Sequence, residues 1–343
     1  MRLSVLDQST VVTGRSPDAS IRESLTLARA CEALGYHRYW LAEHHNSDAV
    51  AGAAPEVLMA AIAATTRRIR VGSAGIMLPH YSALKVAEQF RVLEAIAPGR
   101  IDMGLGRAPG SDGLTAHALN PNAALAAEQF PAQVRDLLAW AGGEPLMERH
   151  PFRDIRAQPA GPTVPEAWIL GSSDYGAQVA AHFGLPYCFA HFITDGQGAA
   201  DALALYRQTY RPSARHPAPY AAICVWALTA PSEAEAERQF LSRALWRAFR
   251  DRGLFVATPS PEEAEAHPWT EAERARAGRV RARSFFGTGP AVASRLRSLA
   301  ETLGSDEVVV LTSAHDPAVR QRSYALLAEA CGLSAEGVAL AAE

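Results

Sequence analysis

Glu43, His44 and His45 stand in a row, with Asn46 behind them, directly after the apolar stretch Tyr39-Trp40-Leu41-Ala42. A carboxylate beside two imidazoles can hold and move protons near neutral pH. Burying such groups at the end of an apolar strand is costly unless they are paired or used. A solvated loop, or a histidine hydrogen-bonded within the core, would explain one imidazole equally well. Two of them beside Glu43 at a strand's carboxyl end favour a functional reading. Metal ligation is disfavoured, because adjacent histidines on extended backbone point to opposite faces. Nor is this the helical HExxH spacing of zinc sites.

Three further groups have chemistry in them. In Gly104-Leu105-Gly106-Arg107-Ala108-Pro109-Gly110, small residues let a ligand approach the backbone and Arg107 offers a planar fork for phosphate. The run mimics a dinucleotide fingerprint, but Pro109-Gly110-Ser111-Asp112-Gly113 is not expected to open the helix which that motif requires. A glycine-rich turn with an exposed arginine is the plain alternative. Gly171-Ser172-Ser173 falls at a strand-to-helix junction, where free N–H groups and hydroxyls suit a phosphate. Simple N-capping by Ser172 or Ser173 explains the same residues. Together with Arg107 they would clamp one phosphate from two sides. Ala74 and Gly75, within Ser73-Ala74-Gly75-Ile76, keep a strand end small enough for a flat ring, or for close helix packing.

The elements that must position these groups alternate along the chain. Apolar strands are expected near residues 2–8, 39–42, 69–76, 101–105, 167–170, 187–192, 221–228 and 308–311. Between them lie segments of helical period. Ser16-Pro17 supplies an N-cap and a first-turn proline, Gly35 closes that helix, and Pro98-Gly99 ends another. Others are expected near 55–64 and 128–140, up to Phe183, through Tyr210, from Ser232 to Arg250, from Pro290 to Leu303, and over 317–330. Alternation repeated about eight times predicts a parallel (β/α)8 barrel in one domain spanning 1–343, although an open doubly wound sheet fits the same count. Two stretches break the pattern. Residues 144–165, rich in Pro, Gly and Arg, read as an excursion, and 253–285 read as a late insertion serving as a lid or a disordered surface loop.

Bulk composition narrows the function. Of 343 residues, 48% are hydrophobic and 20% charged, a globular balance, and a formal charge of -3 gives no electrostatic case for nucleic acid or an anionic membrane. Cys31, Cys188, Cys224 and Cys331 form no CxxC pair, which argues against a zinc, iron–sulfur or disulfide framework. No basic region followed by an apolar run opens the sequence and no segment is long enough to span a bilayer, so a cytoplasmic protein is expected.

Taken in order, these residues resemble the bacterial luciferase-like flavin monooxygenases. The likeness rests on Leu41-Ala42-Glu43-His44-His45-Asn46, on Ala51-Gly52-Ala53-Ala54-Pro55-Glu56-Val57, and on the run from Arg70 to Tyr81. Ala87-Glu88-Gln89-Phe90, Gly99-Arg100-Ile101-Asp102, Gly106 to Ser111, and Gly184-Leu185-Pro186-Tyr187 extend it nearly end to end. It is nearest the branch whose single kind of chain typically forms homodimers. The chain differs from the light-emitting subunit at Gly106, where that subunit has a cysteine, and at His191, where a tryptophan flanks the flavin.

The resemblance implies a barrel binding FMN at the carboxyl ends of its strands. Arg107, Gly171, Ser172 and Ser173 would hold the phosphate, with Ala74-Gly75, often a non-proline cis peptide in the family, and His191 against the ring. His44 would be the catalytic histidine, with Glu43 tuning it or fixing its tautomer. Reduced FMN would come from a separate NAD(P)H:flavin reductase, since the chain lacks a pyridine-nucleotide fingerprint. With O2 it would form a C4a-peroxyflavin that oxygenates a small organic substrate, under a lid formed by 253–285. Hydride transfer with the deazaflavin F420, a flavin-binding protein without turnover, and a sugar-phosphate enzyme on the same barrel are the other readings.

Overall fold

The strand that closes the sheet is the last one. The computed structural model describes residues 1–334; residues 335–343, also within the expected domain, lie outside the described residues. The strands are β1 (Arg2–Asp7), β2 (Arg38–Leu41), β3 (Arg70–Ser73), β4 (Ile76–Met77) and β5 (Ile101–Gly106). They continue as β6 (Glu166–Gly171), β7 (Tyr187–Phe189), β8 (Ala221–Thr229), β9 (Phe285–Gly287) and β10 (Glu307–Leu311). β10 pairs in parallel with β1 on one side and β8 on the other, so the sheet returns on itself. β4 continues the path of β3 along β5, and β9 pairs outside the ring with the end of β8. The remaining eight strands make a closed parallel (β/α)8 barrel, not an open sheet.

Side-chain alternation explains why the ring is stable. Val308 and Val310 join the outer core under the helices, whereas Val309 and Leu311 point into the barrel with Trp40, Trp168 and Trp226. Strands buried on both faces read as continuous apolar runs, and all of β8 is buried. The helices Pro17–Ala33, Pro55–Thr65 and Pro317–Cys331 each open on a proline, whose missing N–H has no intrahelical partner to lose.

Four expectations are corrected. The third strand is not continuous over 69–76; it breaks at Ala74–Gly75, whose peptide bond is cis. The strand expected over 187–192 stops at Phe189, and the chain turns into the short helix His191–Thr194. Gly113 does open a helix, Gly113–Leu119, because Asp112 caps it by accepting the Thr115 N–H. Residues 253–285 are not a featureless loop, since Pro261–Ala266 and Glu271–Arg283 are helices with reciprocal capping boxes at Ser260/Glu263 and Thr270/Glu273. Residues 144–165 hold neither helix nor strand.

The amino-end mouth of the barrel is shut by charge. Arg38, at the start of β2, reaches Asp102 at 3.0 Å, Glu166 at 2.8 Å and Glu307 at 3.1 Å, on three other strands. Arg70 adds a second contact to Asp102 at 2.6 Å, and Trp40 donates its indole N–H to the same carboxylate at 2.9 Å. Burial pushes the Asp102 carboxyl up, but Arg38 and Arg70 outweigh it and hold it at about 2. Removing one partner from such a network leaves uncompensated buried charge, which costs roughly 3–5 kcal/mol. Arg38→Met is therefore expected to lower the unfolding free energy by about that much in a denaturant titration. A carboxyl with a depressed native pKa contributes stability above its unfolded pKa near ~4, and that contribution is lost on acidification. Acid unfolding followed by circular dichroism should thus begin at higher pH in Arg38→Met than in the parent; an unmoved midpoint would count against the tie.

Candidate active site

A cavity of ≈ 660 Å³ opens at the carboxyl ends of the strands, within the usual size of small-molecule and cofactor sites. His44 enters it from the loop after β2, and Ala74 and Gly75 from the break between β3 and β4. Arg107 follows β5, and Gly171, Ser172 and Ser173 end β6 and lead to the next helix. Groups separated by up to 129 positions in sequence, from His44 to Ser173, thus share one wall.

His44 is held by its backbone and left free at its ring. Its N–H donates to the Gly52 carbonyl at 2.9 Å, and Asn46, in left-handed conformation at φ 50°, ties the loop to Asp112 at 3.0 Å. The buried Nδ1 has no hydrogen-bond partner among the described residues. Burial, with Arg250 and His45 adding to it, pushes the ring down to about 4, so His44 is neutral at pH 7.

Glu43 does not serve His44, which corrects the expected pairing. Its carboxylate accepts from the His45 ring at 2.8 Å, the Tyr81 hydroxyl at 2.6 Å and the Met77 N–H at 2.9 Å. On extended backbone residues 43 and 45 share a side and 44 takes the other, so the carboxylate meets the second imidazole. Burial and Glu43 push the Tyr81 phenol up, which keeps it protonated and donating. His80 extends the same wall, with Nε2 2.8 Å from the Pro109 carbonyl and its ring edge-on to His45. The set pins the Arg107 loop, and it reaches His44 only through the charge of the His45 ring.

The wall beside the strand break is backbone. Ala74 donates its N–H to Leu41 at 2.7 Å, and a Cβ at Gly75 would lie 2.8 Å from the Gly104 carbonyl, so no other residue fits there. A Cβ at Gly106 would meet nothing nearer than 3.7 Å; the space before it belongs to the cavity.

Arg107, Ser172 and Ser173 line the same cavity. The guanidinium carbon lies 3.8 Å from the ring centroid of Tyr175, which sits in the first turn of the helix Asp174–Phe183. Ser173 is the N-cap residue of that helix, yet its side chain makes no capping bond. Its hydroxyl, the first-turn N–H groups and Arg107, which has no hydrogen-bond or ion-pair partner among the described residues, are left to face the cavity. Three kinds of hydrogen-bond donor thus line one part of the cavity, a chemistry suited to an anion.

His191 is not part of the wall. Because the chain bends into a helix at this residue, its ring packs over Gly196 and lies 6.1 Å from Phe285, while Ala190, Phe192 and Ile193 line the cavity. Other lining residues were not anticipated. Arg243, Trp246, Arg247 and Arg250 project from the helix Glu233–Arg250, and Phe255 follows it. The signal is present as arginines spaced i, i+4, i+7 on one helical face, within a segment read only as a helix.

Fold and site define an oxidoreductase of the (β/α)8 class. Residues 1–307 match the model of the luciferase-like monooxygenase family, and the chain belongs to that family. It is 41% identical over 329 residues to the uncharacterized protein YwcH of Bacillus subtilis, covering 96% of this chain and 98% of that one. It is 35% identical over 330 residues to the N-acetyl-S-alkylcysteine monooxygenase of the same organism, at 96% and 98% coverage. Among solved structures, apo-MsnO8 superposes with a TM-score of 0.88 at 36% identity, covering 97% of this chain and 98% of that chain.

The free protein offers a direct check on His44. In a histidine NMR titration its ring signals should stay at the neutral position from pH 8 until the pH nears about 4. An inflection near the ordinary value of ~6.5 would mean that the ring is solvated and not held in the cavity wall.

Proposed function

We propose that this chain is an FMN-dependent monooxygenase that takes reduced FMN from a separate NAD(P)H:flavin reductase and, with O2, oxygenates a small organic substrate. The observation that carries this reading is Arg107 lying over Tyr175 beside the uncommitted Ser173 hydroxyl, on the wall of the cavity that His44 also lines. Arg107, Gly171, Ser172, Ser173 and the helix N–H groups would hold the phosphate, and Ala74 and Gly75 would lie along the ring. When bound in reduced form, FMN supplies the electrons that activate O2. His44, neutral and free at Nδ1, would hold or pass a proton at that atom. Glu43 would act at one remove, keeping the wall rigid through His45 and Tyr81. Residues 253–285 would close over the cavity and exclude water, and Phe255 from this segment already lines it. The relative named for N-acetyl-S-alkylcysteine supports oxygen transfer to a small organic molecule. No helix among the described residues is long and apolar enough to cross a membrane. A cytoplasmic homodimer, one barrel domain per chain, completes the proposal.

Titration with FMN, followed by intrinsic fluorescence, tests the phosphate seat. Arg107→Ala should weaken binding by roughly tenfold or more, since a charge-assisted contact is lost. Binding unaffected by that change would place the phosphate elsewhere. With reduced FMN and an oxygen electrode the parent should consume O2, whereas an F420-type hydride transferase would not need it. His44→Ala should bind FMN nearly as the parent does while diverting consumed O2 to hydrogen peroxide in the presence of an accepted substrate. Unchanged coupling would remove His44 from the reaction.

A further inference from the structure

The cavity has a second electropositive wall. Arg243 and Arg247 are only 7% and 5% exposed, and the Nε atoms of both are buried without a hydrogen-bond partner. Arg243 has no hydrogen bond or ion pair at all among the described residues; its guanidinium carbon lies 4.2 Å from the Trp226 ring centroid. Arg247 has one carboxylate, Asp195 at 3.1 Å. Arg250 has no polar partner for its side chain among the described residues and lies 5.5 Å from the Trp246 ring centroid. The remaining charges here are Arg276, paired with Asp251 and 3.8 Å from Asp195. Four guanidiniums therefore face two carboxylates.

Such an arrangement is unfavourable in the free protein. Like charges at i, i+4 spacing destabilise a helix, and a buried cation without a partner is costly. Burial, with Arg247, Arg250 and Arg276 adding to it, pushes Arg243 well below its ordinary value. An anion in the cavity would relieve all of these terms together, because guanidiniums bind carboxylates through paired charge-assisted bonds. The phosphate seat does not supply that anion. It lies after β5 and β6, whereas the arginine helix follows β8, with β7 between them in the ring. Arg250 is instead near enough to His44 to help keep it neutral. The apolar surroundings are Trp246, whose indole N–H is fixed on the Val256 carbonyl at 3.0 Å, and the exposed ring of Phe255.

We propose that Arg243, Arg247 and Arg250 seat the carboxylate of the organic substrate, whose apolar part lies against Trp246 and Phe255 on the His44 side of the cavity. The substrate class is thus a small organic acid; this rests on the monooxygenase reading above for its chemistry, but the binding site stands on its own residues.

Binding of hexanoate and phenylacetate, each against its uncharged amide, tests the proposal by calorimetry on the protein alone and on the protein saturated with FMN. The acids should bind about tenfold or more tightly than the amides, as a site built for a charged group discriminates against its absence. Arg243→Gln and, independently, the half-buried Arg250→Gln should abolish that preference while changing FMN affinity less than about twofold, and Arg243→Lys should restore part of it. Arg107→Ala should do the reverse. Equal binding of acid and amide by the parent overturns the proposal. So does loss of FMN affinity in the Arg243 and Arg250 variants with the acid preference intact, because the arginines would then serve the flavin phosphate. If the parent keeps the acid preference but binds no FMN, the flavin reading fails and the anion seat survives.

Discussion

One guanidinium ties the barrel across its base. Arg38 leaves β2 and contacts carboxylates on β5, β6 and β10, so a single side chain links four of the eight ring strands. Its guanidinium also stacks over Trp168, 4.7 Å from the ring centroid, between the polar floor and the apolar filling above. Arg70 also meets Asp102 and Glu166, but the fully buried Glu307 has no other guanidinium among the described residues and depends on Arg38. The consequence is a plugged lower mouth. The cavity that His44 and Arg107 line opens at the opposite end.

The two ends of the barrel handle charge in contrary ways. At the base, Asp102, Glu166 and Glu307 each have a guanidinium in contact. At the rim, Nδ1 of His44 and Nε of Arg243 and Arg247 are buried and unpartnered, and Arg107 has only the face of Tyr175. Unsatisfied polar groups lower stability wherever they occur, and proteins tolerate them where a ligand completes the bonding. The rim therefore carries the instability that the base offsets. Between the two, the Glu43–His45–Tyr81 set is a small rigid brace that fixes the loop carrying Arg107.

Much of this was legible before any coordinate. All eight ring strands lie on the expected apolar runs, because strands buried on both faces have to be continuous in apolar residues. The errors have local causes. The capping boxes Ser260/Glu263 and Thr270/Glu273 stand in the sequence as S/T-x-x-E spacings, but the segments they open lack the apolar helical period that marks the other helices. His191 was carried inward by extending a strand that the chain abandons two residues earlier. The alternation that sends His44 and His45 to opposite sides was applied to metal binding and not to Glu43, where it assigns the carboxylate to His45.

Hydrophobic period, proline and glycine placement, and the residue types at strand ends are local properties, and the sequence alone determined them: a succession of βα units, reactive side chains at strand ends, and an arginine and two serines suited to phosphate. Only tertiary structure decided which of those groups meet. Arg107 and Tyr175 are 68 positions apart, and His44 and Arg250, on the wall of one cavity, are 206 apart, so no local pattern encodes their nearness. Their approach follows from how far around the closed ring each strand stands. That is fixed by the registers of eight parallel pairs at once, and by the floor charges that hold those registers.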